Sequence, residues 1–267
     1  IEPNCIITRN LDKARSAYRH QDPEASRKAH QSGVAPELHQ TGHGQYIKSF
    51  VYGGLDGTIT TFAVVAGVAG ANLSASVVLI LGVANLIADG ISMAFGDYLS
   101  TKAENEYMAM ERTRETWETH NYPDGEKREM VEIYIGKGIP EPDAKALVDI
   151  LSKHKKAWID IMMVEELGLV ENRESPIKNA LVTFSSFIFF GSIPILIYVV
   201  ARFIPFFAAN TFITACVITG LALFILGTLK IYFTRQPWYR AGLEMLLLGG
   251  FATTAAYIVG ILLGGLM

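Results

Sequence analysis

The chain has 267 residues, of which 50% are hydrophobic and only 18% charged, below the roughly 25% charge of an ordinary soluble domain. Its 23 Lys and Arg against 26 Asp and Glu give a net charge of −3 with a pI near 6.1, which leaves no concentrated basic face for nucleic acid. Charge is absent from Asn179 to Ala201, from Phe203 to Leu229 and from Met245 to Met267; each run exceeds the roughly 20 residues a helix needs to cross a bilayer, so a soluble globular protein is excluded.

Residues 1–45 carry His20, His30, His39 and His43 among polar and charged residues, without sustained apolar periodicity. They read as a disordered cytosolic tail, and the uneven histidine spacing fits a solvated leader better than a metal site. The two cysteines, Cys5 and Cys216, are too few for a disulfide framework or a Cys-based zinc site, in keeping with an intracellular membrane. Two apolar stretches follow, from about Tyr46 to Ala71 and from about Leu73 to Leu99, and the short link between them forces an antiparallel hairpin. Residues 101–178 then change character, with 12 Lys and Arg and 17 Asp and Glu at helical spacing. Pro123, Pro140 and Pro142 divide this water-facing part into three helices: one continuing the second span to about His120, one from Asp124 to Gly136, and one from Glu141 to about Glu171. Three more spans complete the chain, separated by Arg202 and Pro205 and then by Arg235, Pro237 and Arg240.

The expected fold is all-α: a polytopic membrane protein with five transmembrane helices and a three-helix cytosolic metal-binding domain between spans two and three. Its parts are the tail (1–45), spans one and two (46–100), the cytosolic domain (101–177) and spans three to five (178–267). With five spans, 22 of the 23 basic residues fall on the side of the tail and Arg202 alone on the other. Cytosolic segments retain Lys and Arg, so the N-terminus is placed in the cytosol and the C-terminus across the membrane.

Carboxylates within hydrocarbon cost about 2.5 to 3.5 kcal/mol each and normally mark an ion or proton path. Asp56 lies in the Gly53-Gly54-Leu55-Asp56-Gly57 run, whose small residues admit a close neighbouring helix and can free backbone carbonyls to face an ion. The plainer reading, a structural salt bridge, lacks a basic residue deep in the spans. On span two Asn85, Asp89, Met93 and Asp97 recur every four residues and share one helix face. Two carboxylates, an amide oxygen and a thioether form a mixed ligand set, and the sulfur shifts preference from Mg or Ca toward a first-row transition metal such as iron(II).

In the acidic region Glu104, Met108, Glu111, Glu115 and Glu118 form one stripe of the first helix. Such like charges repel, so a cation or basic partners must compensate. Glu126 and Glu129 lie one turn apart on the second helix, and Met162, Met163, Glu165 and Glu166 sit on the third. Three short helices can bring these glutamates and sulfurs to one centre, in the manner of carboxylate metal sites in helical bundles. The alternative is a solvated Glu-rich surface paired with Lys127, Arg128 or Lys156. The Glu-x-x-His pattern of a di-iron bundle is missing, which favours a labile collecting site over an oxidase centre.

Taken together, Tyr52-Gly-Gly-Leu-Asp56-Gly-Thr, Ala88-Asp-Gly-Ile-Ser-Met93, the Gly96-Asp-Tyr-Leu exit and the Glu-rich region before three further spans resemble the vacuolar iron transporters. The resemblance covers about residues 48–267. It implies ferrous iron as substrate, moved from cytosol into a vacuole-like storage organelle in exchange for protons, with no resident cofactor. It further implies a homodimer in the lipid bilayer with the ion path at the subunit interface, Asp56 and Met93 lining that path, and Glu115, Glu118, Glu126, Glu129, Met162, Met163 and Glu166 as cytosolic metal ligands. Where some members carry a pathway glutamate this chain has Asn85, and Asp89 one turn on is expected to supply the charge. Manganese, cobalt and zinc would accept the same ligands.

The resulting expectation is a secondary active transporter rather than an enzyme. No Gly-x-x-x-x-Gly-Lys-Ser/Thr motif is present to couple transport to nucleotide hydrolysis. His-Glu-x-x-His is absent as well, so a membrane metalloenzyme is poorly supported. A passive divalent-metal channel and a membrane-bound metal sensor remain as rivals.

Overall fold

The computed structural model describes residues 13, 16–18, 20–31, 46–170, 175–229 and 237–266. Every regular element among them is a helix. In the N-terminal segment, α1 (Pro23–Gln31) begins where the Asp22 carboxylate accepts the backbone N–H of Glu24 at 2.9 Å and of Ala25 at 3.0 Å. This cap, with a Glu24–Lys28 pair one turn apart at 3.3 Å, gives local order to part of a stretch expected to have none. His39 and His43 lie outside the described residues.

The membrane hairpin forms as expected. α2 (Ile47–Gly70) and α3 (Ala75–Asn121) are joined by four residues. Asn72 takes φ +57°, the N–H of Leu73 reaches back to the Val68 carbonyl at 3.1 Å and that of Asn72 to Ala69 at 3.0 Å. This left-handed cap satisfies the last carbonyls of α2 and turns the chain, and asparagine tolerates the conformation better than most residues with a Cβ. The apolar window of α3 lies in its N-terminal half; the helix then continues without a break into the acidic region.

α7 (Pro176–Val200) lies against both arms of the hairpin. A Cβ added at Gly57 would stand 2.4 Å from the Phe187 carbonyl oxygen, and one at Gly53 would stand 2.5 Å from that of Thr183. The small residues around Asp56 therefore serve backbone-to-backbone packing of α2 on α7. They do not unwind the helix as the sequence reading allowed: α2 is continuous, and its Gly54 and Asp56 carbonyls also accept the hydroxyls of Thr58 and Thr60, each at 2.7 Å. On the α3 side, Leu86 packs with Phe187 and Ile195. Polar ties extend this contact, with Thr183 donating to Asp97 and Asn179 Nδ2 donating to Thr101 Oγ1 at 3.2 Å.

After the short α8 (Pro205–Ala208), α9 (Thr211–Leu229) and α10 (Trp238–Gly264) complete five helices long and apolar enough to cross a membrane. Arg202 and Pro205 separate the third and fourth spans as expected, and Pro205 opens the short α8 before the fourth span begins at Thr211. Phe62, Val65, Val78, Ile197 and Ala215 join α2, α3, α7 and α9 in one apolar core. Ile80, Ile87 and Phe95 on α3 and Leu247, Phe251 and Leu262 on α10 are exposed, outward faces suited to hydrocarbon. Lys48 and Arg240 fall in the first turns of α2 and α10, at the span ends, where a long basic side chain can reach water.

In the acidic region α4 (Pro123–Gly136) follows expectation. Gly138, at φ +91°, ends it, with Ile139 N–H bonded to the Tyr134 carbonyl at 3.1 Å. The third expected helix is two helices, α5 (Glu141–Leu151) and α6 (Lys155–Glu165). The break falls in Ser152-Lys153-His154, before Lys155 and Lys156, where no apolar residue anchors a continuous face and adjacent positive charges repel. α6 stops at Glu165, short of Glu171, as Gly168 takes φ +66° and Leu169 N–H turns back to the Met163 carbonyl at 2.8 Å. Met130, Val148, Trp158 and Met162 form the apolar centre shared by α4, α5 and α6. Ion pairs Arg112–Asp160 and Lys137–Glu165 tie α6 to α3 and α4.

Candidate metal site and membrane path

Three carboxylates from three parts of the chain converge at one end of the acidic region. Glu115 on α3, Glu126 on α4 and Glu166 just past α6 each place an oxygen within 4.8 Å of the others. The sequence arranges this locally. Tyr122 and Pro123 turn the chain between α3 and α4, bringing Glu126 in the first turn of α4 back toward Glu115 near the end of α3. The early stop of α6 leaves Glu166 at a helix end. Glu115 is 0% exposed and Glu126 5%, and one oxygen of each, Oε2, is buried without a hydrogen-bond partner. A buried carboxylate oxygen with no donor is costly, and a divalent cation would satisfy all three acids at once.

The electrostatics report the same crowding. Burial, followed by the charges of Glu166, Glu126 and Glu118, pushes the Glu115 carboxyl up to about 7. Burial, then Glu129, Glu118 and Glu166, pushes Glu126 up to about 7. Glu166 is raised too, by burial and by Glu129. Glu118 and Glu129 are thus electrostatic neighbours of the trio. Glu104 is not: it is exposed and lies about 16 Å before Glu115 along the helix, too far to share an ion. Met162 is fully buried, with Met130, Val148 and Trp158 as its apolar neighbours. Met163, 6% exposed, lies beside it in sequence and outside that cluster.

Two of the basic partners weighed from sequence go elsewhere. Lys127 faces Asp149 at 3.9 Å, and Arg128 donates to the Tyr122 hydroxyl at 2.7 Å. The residue that meets the stripe is Arg114, which the sequence reading passed over. Its Nε lies 2.9 Å from Glu111 Oε2 and 3.9 Å from Glu118 Oε2, and its terminal nitrogen lies 3.3 Å from Glu115 Oε1. The spacing was visible: Arg114 stands three residues after Glu111 and four before Glu118, both neighbour positions on a helix.

In the hairpin, Asp56 on α2 and Asp89 on α3 are near enough for their charges to repel. Asp56, Asn85, Asp89 and Met93 are each half-buried. Asn85 Nδ2 is buried without a hydrogen-bond partner. Met93 touches the Leu86–Phe187–Ile195 cluster on one side. On the other it lines a cleft of about 370 Å³ together with Lys48, Ser49, Tyr52, Ser92 and Asp97. The cleft mixes a thioether with hydroxyl and carboxylate oxygens and the Lys48 ammonium.

The chain matches the VIT family over residues 47–261. It is 46% identical to the vacuolar iron transporter of Toxoplasma gondii, over 97% of this chain and 89% of that protein. Identity is 35% to the vacuolar iron transporter of Plasmodium falciparum, over 97% and 98% of the two chains. It is 36% to vacuolar iron transporter 1 of Arabidopsis thaliana, over 80% and 84%.

Proposed function

The chain belongs to the VIT family, and from that premise we propose that it carries ferrous iron from the cytosol into a vacuole-like organelle, driven by protons moving the other way. The observation that carries the reading is the convergence of Glu115, Glu126 and Glu166, with two buried oxygens left unpaired, at the end of a helix that runs unbroken from the membrane hairpin. The acidic region stands in the cytosol and collects the ion. Glu118 and Glu129 add negative charge around the trio, and Met163 is a candidate sulfur ligand. Met93 and Asp56 then form the membrane path, with Asn85 and Asp89 along the same seam.

Ligand chemistry accounts for the direction. Metal needs deprotonated carboxylates, so a proton arriving from an acidic lumen competes with the ion at a path carboxylate and releases it. The half-exposure of Asp56, Asn85, Asp89 and Met93 in a single chain supports a second copy covering them, because polar groups facing hydrocarbon are expensive. Iron, manganese, cobalt and zinc all suit this oxygen and sulfur set, with the sulfur favouring the softer ions.

Proteoliposomes test the reading. Iron uptake that requires an acid gradient supports exchange; uptake indifferent to pH identifies a channel, and no uptake leaves a sensor. Asp56→Ala is expected to abolish uptake while the protein remains folded and monodisperse. Wild-type uptake by that variant removes Asp56 from the path.

A further inference from the structure

Among the described residues Arg114 is the basic side chain that enters the carboxylate cluster, and it does so with three contacts. Its guanidinium holds Glu111 and one oxygen of Glu115 and approaches Glu118. The geometry divides the acids into two sets. Glu111 and Glu115 Oε1 face the arginine, whereas Glu115 Oε2 and Glu126 Oε2, both buried, have no donor. Glu115 belongs to both sets, one oxygen committed to the arginine and the other open toward Glu126 and Glu166.

We propose that Arg114 is a built-in competitor for the collected ion, a fixed positive charge that weakens divalent-metal affinity and speeds release. This inference rests on Glu115, Glu126 and Glu166 forming the collecting site. The physical basis is the position of the charge. A guanidinium bonded to one oxygen of Glu115 lies within several ångströms of any ion on the other oxygen, and at that range like charges repel strongly even at a high effective dielectric constant. Arginine stays charged at every physiological pH, so the repulsion does not switch off. It also orients the Glu115 carboxylate and keeps Glu111 directed at itself. A site holding six acids without such a cation, Glu111, Glu115, Glu118, Glu126, Glu129 and Glu166, would bind divalent metal tightly and part with it slowly. A transporter has to part with it.

The test uses the full-length protein in detergent with manganese(II) as an air-stable probe, titrated by calorimetry at pH 8, where the crowded carboxyls are ionised. Release to a chelator is followed by stopped flow. Arg114→Gln is expected to tighten binding about tenfold or more and to slow release by a similar factor. Arg114→Lys, which keeps the charge, should stay within about threefold of wild type. Should the glutamine variant lose thermal stability, Arg114→Met retains the apolar stem and repeats the measurement. A purely structural role for Arg114 predicts unchanged or weaker binding in both neutral variants, and either result overturns the proposal. The collecting site is checked separately by Glu126→Gln. If wild-type protein binds no manganese, or Glu126→Gln binds as well as wild type, the site reading itself fails. If Glu126→Gln loses binding while Arg114→Gln changes nothing, only the competitor role falls.

Discussion

Glu115 and Glu126 each carry a carboxyl raised to about 7 by burial and by one another's neighbours, and this has two opposite consequences for pH. In the unfolded chain these groups titrate near 4.5. The folded form binds their protons more tightly, so the stability they contribute is full below about 4.5 and is lost as pH rises through about 7. Metal binding runs the other way, because the ligand is the deprotonated acid. Metal-free protein is therefore expected to melt at a lower temperature at pH 8 than at pH 5.5, and manganese should raise the midpoint more at pH 8. Affinity should climb between pH 6 and pH 8; a flat calorimetric profile across that window would show that these two carboxyls are not ligands. Spacing placed Glu115 and Glu118 on one helix face, since a 4-3-4-3 recurrence defines a face, but the same spacing also chose Glu104, which lies too far from the trio. For Met162 the sequence shows a place beside Glu166, and the packing of α4, α5 and α6 adds that it lies among apolar neighbours. Arg114 was visible in the pattern and was overlooked beside the more numerous acids.

Among the elements, α2 shows one sequence feature for which two uses were open and the structure takes one. The glycines beside Asp56 allowed a close neighbouring helix and freed carbonyls alike. The structure uses them to seat α2 against the α7 backbone, and the helix stays intact. Gly57→Ala tests which effect dominates. A helix interior gains roughly 0.5 to 1 kcal/mol from such a change, but the added carbon would stand 2.4 Å from the Phe187 carbonyl oxygen, and the overpacking costs typically 1 to 3 kcal/mol. A lower thermal midpoint in detergent is expected; a higher one would show that α2 and α7 separate easily. Proline and hydropathy marked the limits of α4 and of the spans, since both act through local chemistry. The break between α5 and α6 was missed because Ser152, Lys153 and His154 include neither proline nor glycine, and a helix end there depends on what the flanking segments pack against.

For the molecule as a whole, the five spans and the acidic region between the second and third were evident from charge distribution, which the bilayer enforces over long runs of residues. What a single sequence does not state is what covers the seam of Asp56, Asn85, Asp89 and Met93. The half-buried state of all four leads to an expected particle mass, by light scattering with detergent subtracted, of twice the 29.3 kDa of one chain. A mass of one chain would leave the seam facing lipid and dismiss a shared path.

The unbroken course of α3 has a further consequence for how cargo travels. Met93 and Glu115 are separated on one rigid rod by about 33 Å, several times the roughly 8 Å over which charge is felt in physiological salt. No single side chain spans such a gap. On the proposed reading, an ion passing from the acidic cup to the hairpin crosses that distance through water or along the acids between them on the same helix, such as Glu104 and Glu111. On that reading the cup is an antechamber that enriches ions near the membrane, and its worth to the transporter is measured by turnover of its occupants more than by the depth of its well.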